Sequence, residues 1–497
     1  MAHLSPGPHS PKTASIVLVM RCGVAAFLIF LITRTWADPD LWGHLLFGRD
    51  IVQTGHLPSA DTFSFTSDKA WINHEWLAEV FMYLAYSRAG SFGLIALKTA
   101  VVLTAVGAVL VIFKAAAIES SLHDLLIFLV VAGMFSRTHV LRPQVFSVAL
   151  FAILLMVQIR ADRGSWKSLV AVPLMFAAWV NLHGGWIVGA AAFALWTILN
   201  LFSEHQRRHR TWILGIAIAS ALATLINPYG WRLWMFLGET VRFERVEISD
   251  WQPLWKLPAL AIAPWIAAAV VAGLAIVRGN HLLNTRSLLI MALCGIASLF
   301  VGRLDVFFIL SAVMLTAPAI GEGARGAGEN RSAGLAFAAV VVGTIGFVWS
   351  QPRLGCVIMD ASSQPEPEVV QLVKEQGLRG RMLTFFDWGE YALWHLAPAV
   401  RVSFDGRRET VYSQRIIDDH IRIYRDDPGA EQIVSSMNPD YVWLPSQSGV
   451  LRRLEGHGWN PLFRGPVSTL LAAENAVGSS GPAMVGRTPE SRCFPAH

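Results

Sequence analysis

The residues best suited to chemistry are two carboxylates that flank a proline, in the sequence Ala-Asp-Pro-Asp-Leu-Trp-Gly-His at 37–44. Proline disfavours helical backbone at the residue before it, so we expect Asp38 to be extended. Asp38 and Asp40 could then deprotonate an acceptor, bind sugar hydroxyls or hold a divalent metal such as Mg²⁺ or Mn²⁺. Asp40 could instead serve only as the N-cap of a helix predicted over 40–51. Capping and chemistry are compatible, and both stay open here.

Further polar side chains lie in short segments that separate apolar stretches of the sequence. The segment 34–75 holds His44 and ends with the pair His74 and Glu75, which are either substrate ligands or ordinary surface residues. The other segments contribute these candidates for substrate binding: Arg137, His139, Arg142, Asn181, His183, Arg303 and Asp305. Ionisable groups at a membrane edge are costly unless they are paired or functional, so their concentration indicates a shared cavity.

Two kinds of residue in these segments suggest specific roles. The three arginines could hold a phosphate or pyrophosphate, or they could only anchor the chain to anionic lipid heads. Gly184-Gly185 lets a backbone approach closely, and the adjacent His183 is either an acid or binding group or a structural histidine. We expect both aspartates, His183 and at least one of the arginines to line one cavity.

The composition indicates a membrane protein with a smaller soluble part. Of the 497 residues, 54% are hydrophobic and 15% are charged, whereas a soluble globular chain carries about 25% charged residues. The net charge of +5 is too mild and too dispersed to indicate nucleic-acid binding. The four cysteines form no Cys-x-x-Cys pair, which excludes a zinc ribbon.

Eleven apolar stretches are candidates for membrane-spanning helices, since a span needs about 20 mostly apolar residues. They are 15–33, 92–113, 123–135, 145–159, 168–181, 186–202, 211–226, 258–277, 287–301, 304–318 and 333–350. The stretch 76–90 is apolar on one side only and carries Glu79, so we predict an interfacial or re-entrant helix there, with a spanning helix as the alternative.

Basic loops indicate which side of the membrane each segment faces. Short loops dense in Lys and Arg lie at 160–167, 203–210, 278–286 and 319–332, all on one side of the eleven-span arrangement. The positive-inside rule makes this side cytoplasmic. The segments that carry the candidate site residues then face the extracytoplasmic side.

The character of the sequence changes near residue 351. We predict that 1–350 form the membrane domain and that 351–497 form an extracytoplasmic soluble α/β domain. The predicted elements of the second domain are strands in RMLTFFDWG (381–389), RVSFDGR (401–407) and DYVWLP (440–445), and a short helix at 390–396. In an oxidising compartment Cys356 and Cys493 can form a disulfide, whereas Cys22 and Cys294 lie in predicted spans and should stay reduced.

Several short motifs, in order along nearly the whole chain, resemble those of bacterial polytopic membrane proteins regarded as GT-C type glycosyltransferases. This class includes the protein O-mannosyltransferases and the lipid A aminoarabinose transferases. The motifs are A-D-P-D-L-W-G-H at 37–44, R-P-Q-x-F-S at 142–147, W-V-N-L-H-G-G-W at 179–186, I-N-P-Y-G at 226–230 and D-W-G-E-Y with F-D-G-R within 387–407. Such enzymes take a sugar from a polyprenyl-phosphate carrier, and an acidic motif in the first outer loop carries their chemistry.

The resemblance implies a multi-pass enzyme of the bacterial inner membrane that transfers a sugar on the extracytoplasmic face. Its expected partners are a polyprenyl-phosphate-linked sugar and membrane lipid, with no nucleic acid. Asp38 or Asp40 would be the base or would hold the metal, and one of the three arginines would neutralise the leaving phosphate. Two alternatives stay open: a transporter or flippase, and a non-catalytic scaffold of an envelope polysaccharide system. The sugar, the acceptor and the oligomeric state do not follow from the sequence.

Overall fold

The computed structural model of the protein describes residues 23–118, 120–240, 243, 245, 248–279, 283–324, 355–360, 364–476, 483–487 and 490–495. Residues 15–22 of the first predicted span, Cys22 and the whole predicted span 333–350 lie outside these described residues.

The described residues up to 324 form helices joined by loops, with one two-residue strand, β1 (Thr35–Trp36). Its helices are α1 (Gly23–Thr33), α2 (Leu41–Thr54), α3 (Trp76–Ala115), α4 (Ser120–Thr138), α5 (Gln144–Asp162), α6 (Ala171–Trp179), α7 (Trp186–Leu201), α8 (Arg210–Ala223), α9 (Arg232–Thr240), α10 (Ala259–Gly279), α11 (Thr285–Phe300) and α12 (Asp305–Ala324). The buried helix α12 packs against α4, α5, α10 and α11 and forms the centre of the bundle.

Four segments among the described residues are long and apolar enough to cross a membrane. They are Trp76–Ala115, Gln144–Asp162, Ala259–Gly279 and Gly302–Glu322. They include the predicted spans at 92–113, 145–159, 258–277 and 304–318. Several other predicted spans correspond to shorter apolar helices, so length and composition alone support fewer spans than the eleven predicted.

The predicted boundary between a helix at 76–90 and a span at 92–113 is confirmed within the segment labelled α3. The segment is 40 residues long, and its backbone leaves helical geometry at Ala89 and Gly90, where Gly90 has a φ of 54°. Glycine adopts this positive φ readily, so two helices meet there at a kink. The part after Gly90 can cross the roughly 30 Å hydrocarbon core, since a helix rises about 1.5 Å per residue.

The C-terminal part contains a mixed sheet covered by helices. The strands and helices in chain order are β2 (Val357–Met359), α13 (Pro367–Glu375), β3 (Gly380–Thr384), α14 (Gly389–Leu396), β4 (Val400–Val402), α15 (Gln414–Tyr424), α16 (Ala430–Met437), β5 (Tyr441–Pro445), α17 (Gly449–Glu455), β6 (Asn460–Arg464), β7 (Ser468–Ala472), β8 (Met484–Val485) and β9 (Arg492–Cys493). The main sheet has the order β4-β3-β5-β7-β6-β8, with β3 parallel to both of its neighbours. The predicted α/β character, three predicted strands and the helix at 390–396 are confirmed.

A small second sheet joins the N-terminal and C-terminal parts of the chain. Its order is β1-β2-β9, with Thr35 paired to Val357 and Ile358 paired to Cys493. The predicted disulfide between Cys356 and Cys493 is present at this sheet, with a Cα–Cα distance of 5.3 Å. The sheet therefore fixes the backbone immediately before Asp38.

The segment between α2 and α3 also docks on the C-terminal sheet. Phe63 and Phe65 exchange backbone hydrogen bonds with Val402 of β4, so the segment extends the edge of the sheet. Arg407 anchors it from the other side, because Nη1 donates to Asp61 at 2.6 Å. The guanidinium of Arg407 also lies 4.8 Å from the ring centre of Trp71.

Helix α2 is buried between the two parts of the molecule. Trp42 is inaccessible to solvent and packs against Tyr391 and Phe494, with ring centroids 5.3 and 4.4 Å apart. Fully burying a large apolar side chain stabilises a fold by about 1.5–3 kcal/mol. The start of α2, which carries Asp40, is therefore held against α14.

Candidate active site

The two predicted carboxylates lie in the turn between β1 and α2, but they differ in their contacts. Oδ1 of the buried Asp38 accepts a hydrogen bond from the amide of Asp40 at 2.8 Å, and Oδ2 forms an ion pair with Nε of Arg142. Asp40 occupies the N-cap position of α2, yet its side chain makes no capping hydrogen bond. The alternative in which Asp40 serves only as a helix cap is therefore wrong.

The carboxyl group of Asp40 faces two acids of the C-terminal part. Glu390, in the first turn of α14, accepts a hydrogen bond from the amide of Gly43 at 3.0 Å. A methyl group added to Gly406 would overlap Oδ1 of Asp40 and would lie 2.8 Å from Oε1 of Glu390. Asp387 lies in the same turn of chain as Glu390 and contributes a further negative charge near Asp38 and Asp40.

Burial and the neighbouring acids raise the pKa values of Asp40 and Asp387 towards neutral pH. Burial, followed by the charge of Asp38, raises the pKa of Asp40 to about 7, although Arg142 acts in the opposite direction. Burial and the charge of Asp38 raise the pKa of Asp387 to about 6. A carboxyl group with a pKa near the working pH is suited to general base catalysis.

Two of the three candidate arginines are neutralised by carboxylates. Arg137 donates to both oxygens of Asp305, at 2.8 and 2.9 Å, and to Oδ1 of Asp250 at 2.8 Å. Arg142 pairs with Asp38, and its Nη1 lies 3.6 Å from Oδ2 of Asp250. Burial raises the pKa of Asp250, but Arg137 and Arg142 outweigh this effect and lower it overall.

Arg303 differs from the other two because it forms no ion pair with any described carboxylate. Its Nη2 donates to Oε1 of Gln144 at 3.1 Å, and its guanidinium lies 4.9 Å from the ring centre of Trp251. The surrounding charges are the carboxylates of Asp250 and Glu75, opposed by Arg142 and Arg137. Arg303 is therefore the candidate arginine with donors left for a ligand.

The predicted residues His74, Glu75 and His183 form one cluster. Oε1 of Glu75 lies 3.5 Å from Nε2 of His74 and 3.6 Å from Nε2 of His183. The amide of Gly185 donates to Nδ1 of His183 at 2.9 Å, so the proton of a neutral His183 is on Nε2, which faces Glu75. Burial lowers the pKa of His183 to about 3 despite Glu75, so this histidine is a neutral hydrogen-bond donor near pH 7.

His44, in α2, contacts the first turn of α3. Its Nδ1 is 3.3 Å from Oε1 of Glu79, and Asn73 donates to Oε2 of Glu79 at 2.6 Å. Burial lowers the pKa of His44, but the hydrogen bond and charge of Glu79, with Glu75 and Asp40, outweigh it and raise the pKa to about 9. His44 is thus a cation near Asp40 at neutral pH.

Two predicted site residues have structural contacts. His139 donates from Nδ1 to the carbonyl of Phe135 at 2.8 Å, and its ring packs edge-to-face with that of Trp36. Asn181 accepts from the indole of Trp76 and donates to the carbonyl of Ile226, both at 2.8 Å. Both side chains fasten neighbouring elements, and we do not include them among the residues that contact substrate.

The acids Asp250, Asp387 and Glu390 were not identified from the sequence. Glu390 is 347 positions from its partner Gly43, and Asp250 is 113 positions from Arg137. Pairings at such separations leave no local spacing that could reveal them. The D-W-G-E-Y motif was the one available signal, since it contains both Asp387 and Glu390.

Comparisons with known proteins identify the fold. No family model matches the chain, and no curated protein matches it. The crystal structure of ArnT from Cupriavidus metallidurans in the apo state aligns with a TM-score of 0.55 at 11% identity, covering 95% of this chain and 100% of that one. The same protein bound to undecaprenyl phosphate aligns with a TM-score of 0.53 at 11% identity, covering 96% of this chain and 100% of that one.

A cryo-EM structure of the arabinofuranosyltransferase AftD from Mycobacteria also aligns, at 14% identity and a TM-score of 0.48, covering 94% of this chain and 42% of that one. At such low identities these similarities concern the fold. The predicted resemblance to GT-C type membrane glycosyltransferases is confirmed at this level.

Proposed function

We propose that this protein, which has the GT-C fold, is a membrane glycosyltransferase that moves a sugar from a polyprenyl-phosphate donor to an acceptor. The observation that carries the proposal is that two unlike groups, Asp40 and Arg303, both lie near Arg142. Asp40 is a carboxyl group without a cation bound to it, and Arg303 is a cation without a carboxylate bound to it. Separated charges of this kind suit a reaction that releases a proton and an anionic phosphate.

Asp40 is the proposed general base. Both oxygens of Asp38 are occupied, by the amide of Asp40 and by Arg142, so Asp38 positions the turn and the arginine instead. Asp40 takes the proton of an acceptor hydroxyl or amine as its oxygen or nitrogen bonds to C1 of the sugar. The bond from C1 to the phosphate oxygen breaks, and polyprenyl phosphate leaves with the bonding electrons.

Arg303 is the proposed partner of the leaving phosphate. Its guanidinium can exchange the weak hydrogen bond to Gln144 for charge-assisted hydrogen bonds to phosphate oxygens. His183 and Glu75 lie beside Arg303 and are placed to bind polar groups of the sugar or acceptor. The ArnT structure with undecaprenyl phosphate supports a lipid-phosphate donor for this fold.

A divalent metal held by Asp38 and Asp40 has no place in this mechanism. Among the described residues, no group of three or more His, Cys, Asp or Glu side chains is arranged to hold a metal ion. Each oxygen of Asp38 already has a partner, because Oδ1 accepts from the Asp40 amide and Oδ2 pairs with Arg142. We therefore propose a mechanism in which no step depends on Mg²⁺ or Mn²⁺.

The proposed setting is the bacterial inner membrane, crossed about eleven times, with the site and residues 351–497 on the extracytoplasmic face. The apolar helices and the membrane-protein fold support the membrane location, and the density of basic residues in alternate loops supports the orientation.

A transfer assay in proteoliposomes tests the proposal, with a radiolabelled polyprenyl-phosphate sugar as donor. We expect Asp40→Asn to lower the rate by about 10²–10⁴-fold, the usual contribution of a general base. Asp418→Asn, at an exposed position on α15, is the matched control and should keep full activity. Movement of the labelled lipid across the bilayer without transfer would identify a flippase instead, and neither activity would indicate a scaffold.

A further inference from the structure

Glu390 of the C-terminal part lies close to the catalytic turn, the turn between β1 and α2 that carries Asp38 and Asp40. Glu390 is only 4% exposed and lies between two glycines, Gly43 of α2 and Gly406 after β4. A methyl group on Gly43 would overlap Oε2 of Glu390, and one on Gly406 would overlap Oδ1 of Asp40. A larger residue at Gly43 would therefore displace Glu390, and one at Gly406 would displace Asp40.

The contacts of Glu390 leave one oxygen directed at Asp40. Oε2 of Glu390 accepts the hydrogen bond from the amide of Gly43. Oε1 of Glu390 and Oδ1 of Asp40 both lie beside Gly406. Neither carboxyl group forms an ion pair with a Lys or Arg side chain in the part of the chain that the structure describes. Arg407, a cation whose charge acts on Glu390, is held by Asp405 and Asp61.

Glu390 is buried and Asp40 is half-buried, and two such carboxylates that converge without a cation between them are not both ionised near neutral pH. We infer that Glu390 is a positioning residue that stays protonated and donates a hydrogen bond from Oε1 to Oδ1 of Asp40. The two groups then hold one proton between them, which leaves Oδ2 of Asp40 to accept the proton of the acceptor. This inference rests on the proposed function, and it gives the C-terminal part a direct role in the reaction.

The other charges around the pair are compatible with a single shared proton. Asp40 faces Asp38 and Asp387, opposed by Arg142 and the cationic His44. Glu390 faces Asp405 and Glu79, opposed by Arg407. Burial, then the charges of Asp40 and Asp405, raise the pKa of Glu390 well above its ordinary value. The pair as a whole therefore titrates in two separated steps.

Glu390→Gln tests the inference, because glutamine has the shape and hydrogen-bond donor of a protonated glutamic acid but cannot ionise. The first measurement is the infrared band of protonated carboxylic acids at pH 7, which needs no substrate. We expect the wild-type protein to show a band that is missing in Glu390→Gln and present in Glu375→Gln, a matched change at an exposed position on α13. An unchanged band in Glu390→Gln overturns the inference.

The second measurement is the pH dependence of the transfer rate. Glu390→Gln should keep the rise in rate on the acidic side, since Asp40 still ionises beside a neutral donor. It should lose the fall on the alkaline side, where ionisation of Glu390 places a second charge beside Asp40. If Glu390 is already ionised in the wild type, the substitution instead moves the acidic rise to lower pH by one unit or more, which overturns the inference.

The two measurements separate this inference from the proposed function. A protein that shows the Glu390 band but transfers no sugar retains the proton-sharing pair and contradicts only the proposed reaction. A protein in which Asp40→Asn abolishes transfer, but Glu390→Gln changes neither the band nor the pH profile, contradicts only the proton-sharing pair.

Discussion

Each arginine near the catalytic turn has a role set by its own partners. Arg137 is nearly inaccessible and bound to both oxygens of the buried Asp305, so it is part of the fold. Arg142 orients Asp38. Arg303 is partly exposed, and its hydrogen bond to a neutral amide costs little to replace. Residue type alone could not separate these three roles, because the difference lies in which carboxylates the fold places beside each arginine.

Arg303→Gln should therefore affect donor binding, whereas Arg137→Gln should affect stability. Arg303→Gln should leave thermal stability nearly unchanged and raise the KM for the polyprenyl-phosphate donor at least tenfold, because a charged partner of the phosphate is lost. Arg137→Gln should lower stability by about 3–5 kcal/mol, because it leaves Asp305 as an unpaired buried charge. Thermal unfolding and donor titration of both variants measure this contrast. Equal effects of the two changes on KM, without loss of stability, would contradict the assignment.

At the scale of elements, strand pairing between distant segments of the chain fixes the position of the Asp38 turn. Strand β1 pairs with β2, and β2 pairs with β9, so the backbone entering the Asp38 turn depends on residues more than 300 positions away. The disulfide between Cys356 and Cys493 closes this arrangement. The only free cysteine among the described residues, Cys294, is buried in α11 and does not compete for it.

Removal of the disulfide should loosen this small sheet and with it the catalytic turn. The bond closes a loop with a sequence separation of 137 residues. On the chain-entropy model, Cys356→Ser with Cys493→Ser lowers stability by up to about 5 kcal/mol. We expect a lower unfolding temperature in the double variant and in the reduced wild type, measured by thermal unfolding with and without reductant. Cys294→Ser is the control, and a reductant effect of equal size on the double variant would contradict this explanation.

Local sequence patterns predicted several elements well and others poorly. The strands at β3, β4 and β5 follow from short apolar runs bounded by turns, which are local signals. The boundary near residue 90 was predicted correctly, since Ala89 and Gly90 leave helical geometry and separate the two helices of α3. Asp38 and Asp40 could be found from their spacing around Pro39. Glu390 and Asp250 could not, since their partners come from other parts of the chain.

At the scale of the whole molecule, the segment between α2 and α3 joins the helical bundle to the C-terminal sheet. Its Asp61 is bound by Arg407, and its Ser64 pairs with the edge strand β4. Glu75, Arg142 and Arg303 lie at the N-terminal ends of α3, α5 and α12. A catalytic base from the first loop, a proton-sharing acid from the sheet domain and a phosphate-binding arginine from the bundle together make the proposed site.

A structure of the protein with bound polyprenyl phosphate tests this account most directly. The account predicts phosphate oxygens within about 2.7–3.2 Å of the guanidinium nitrogens of Arg303, with the hydrogen bond to Gln144 broken. It also predicts that the carboxyl group of Asp40 faces the open side of the phosphate, where C1 of the sugar would lie. A phosphate bound away from Arg303, or on the opposite side of the membrane from Asp40, would contradict the proposed glycosyl transfer.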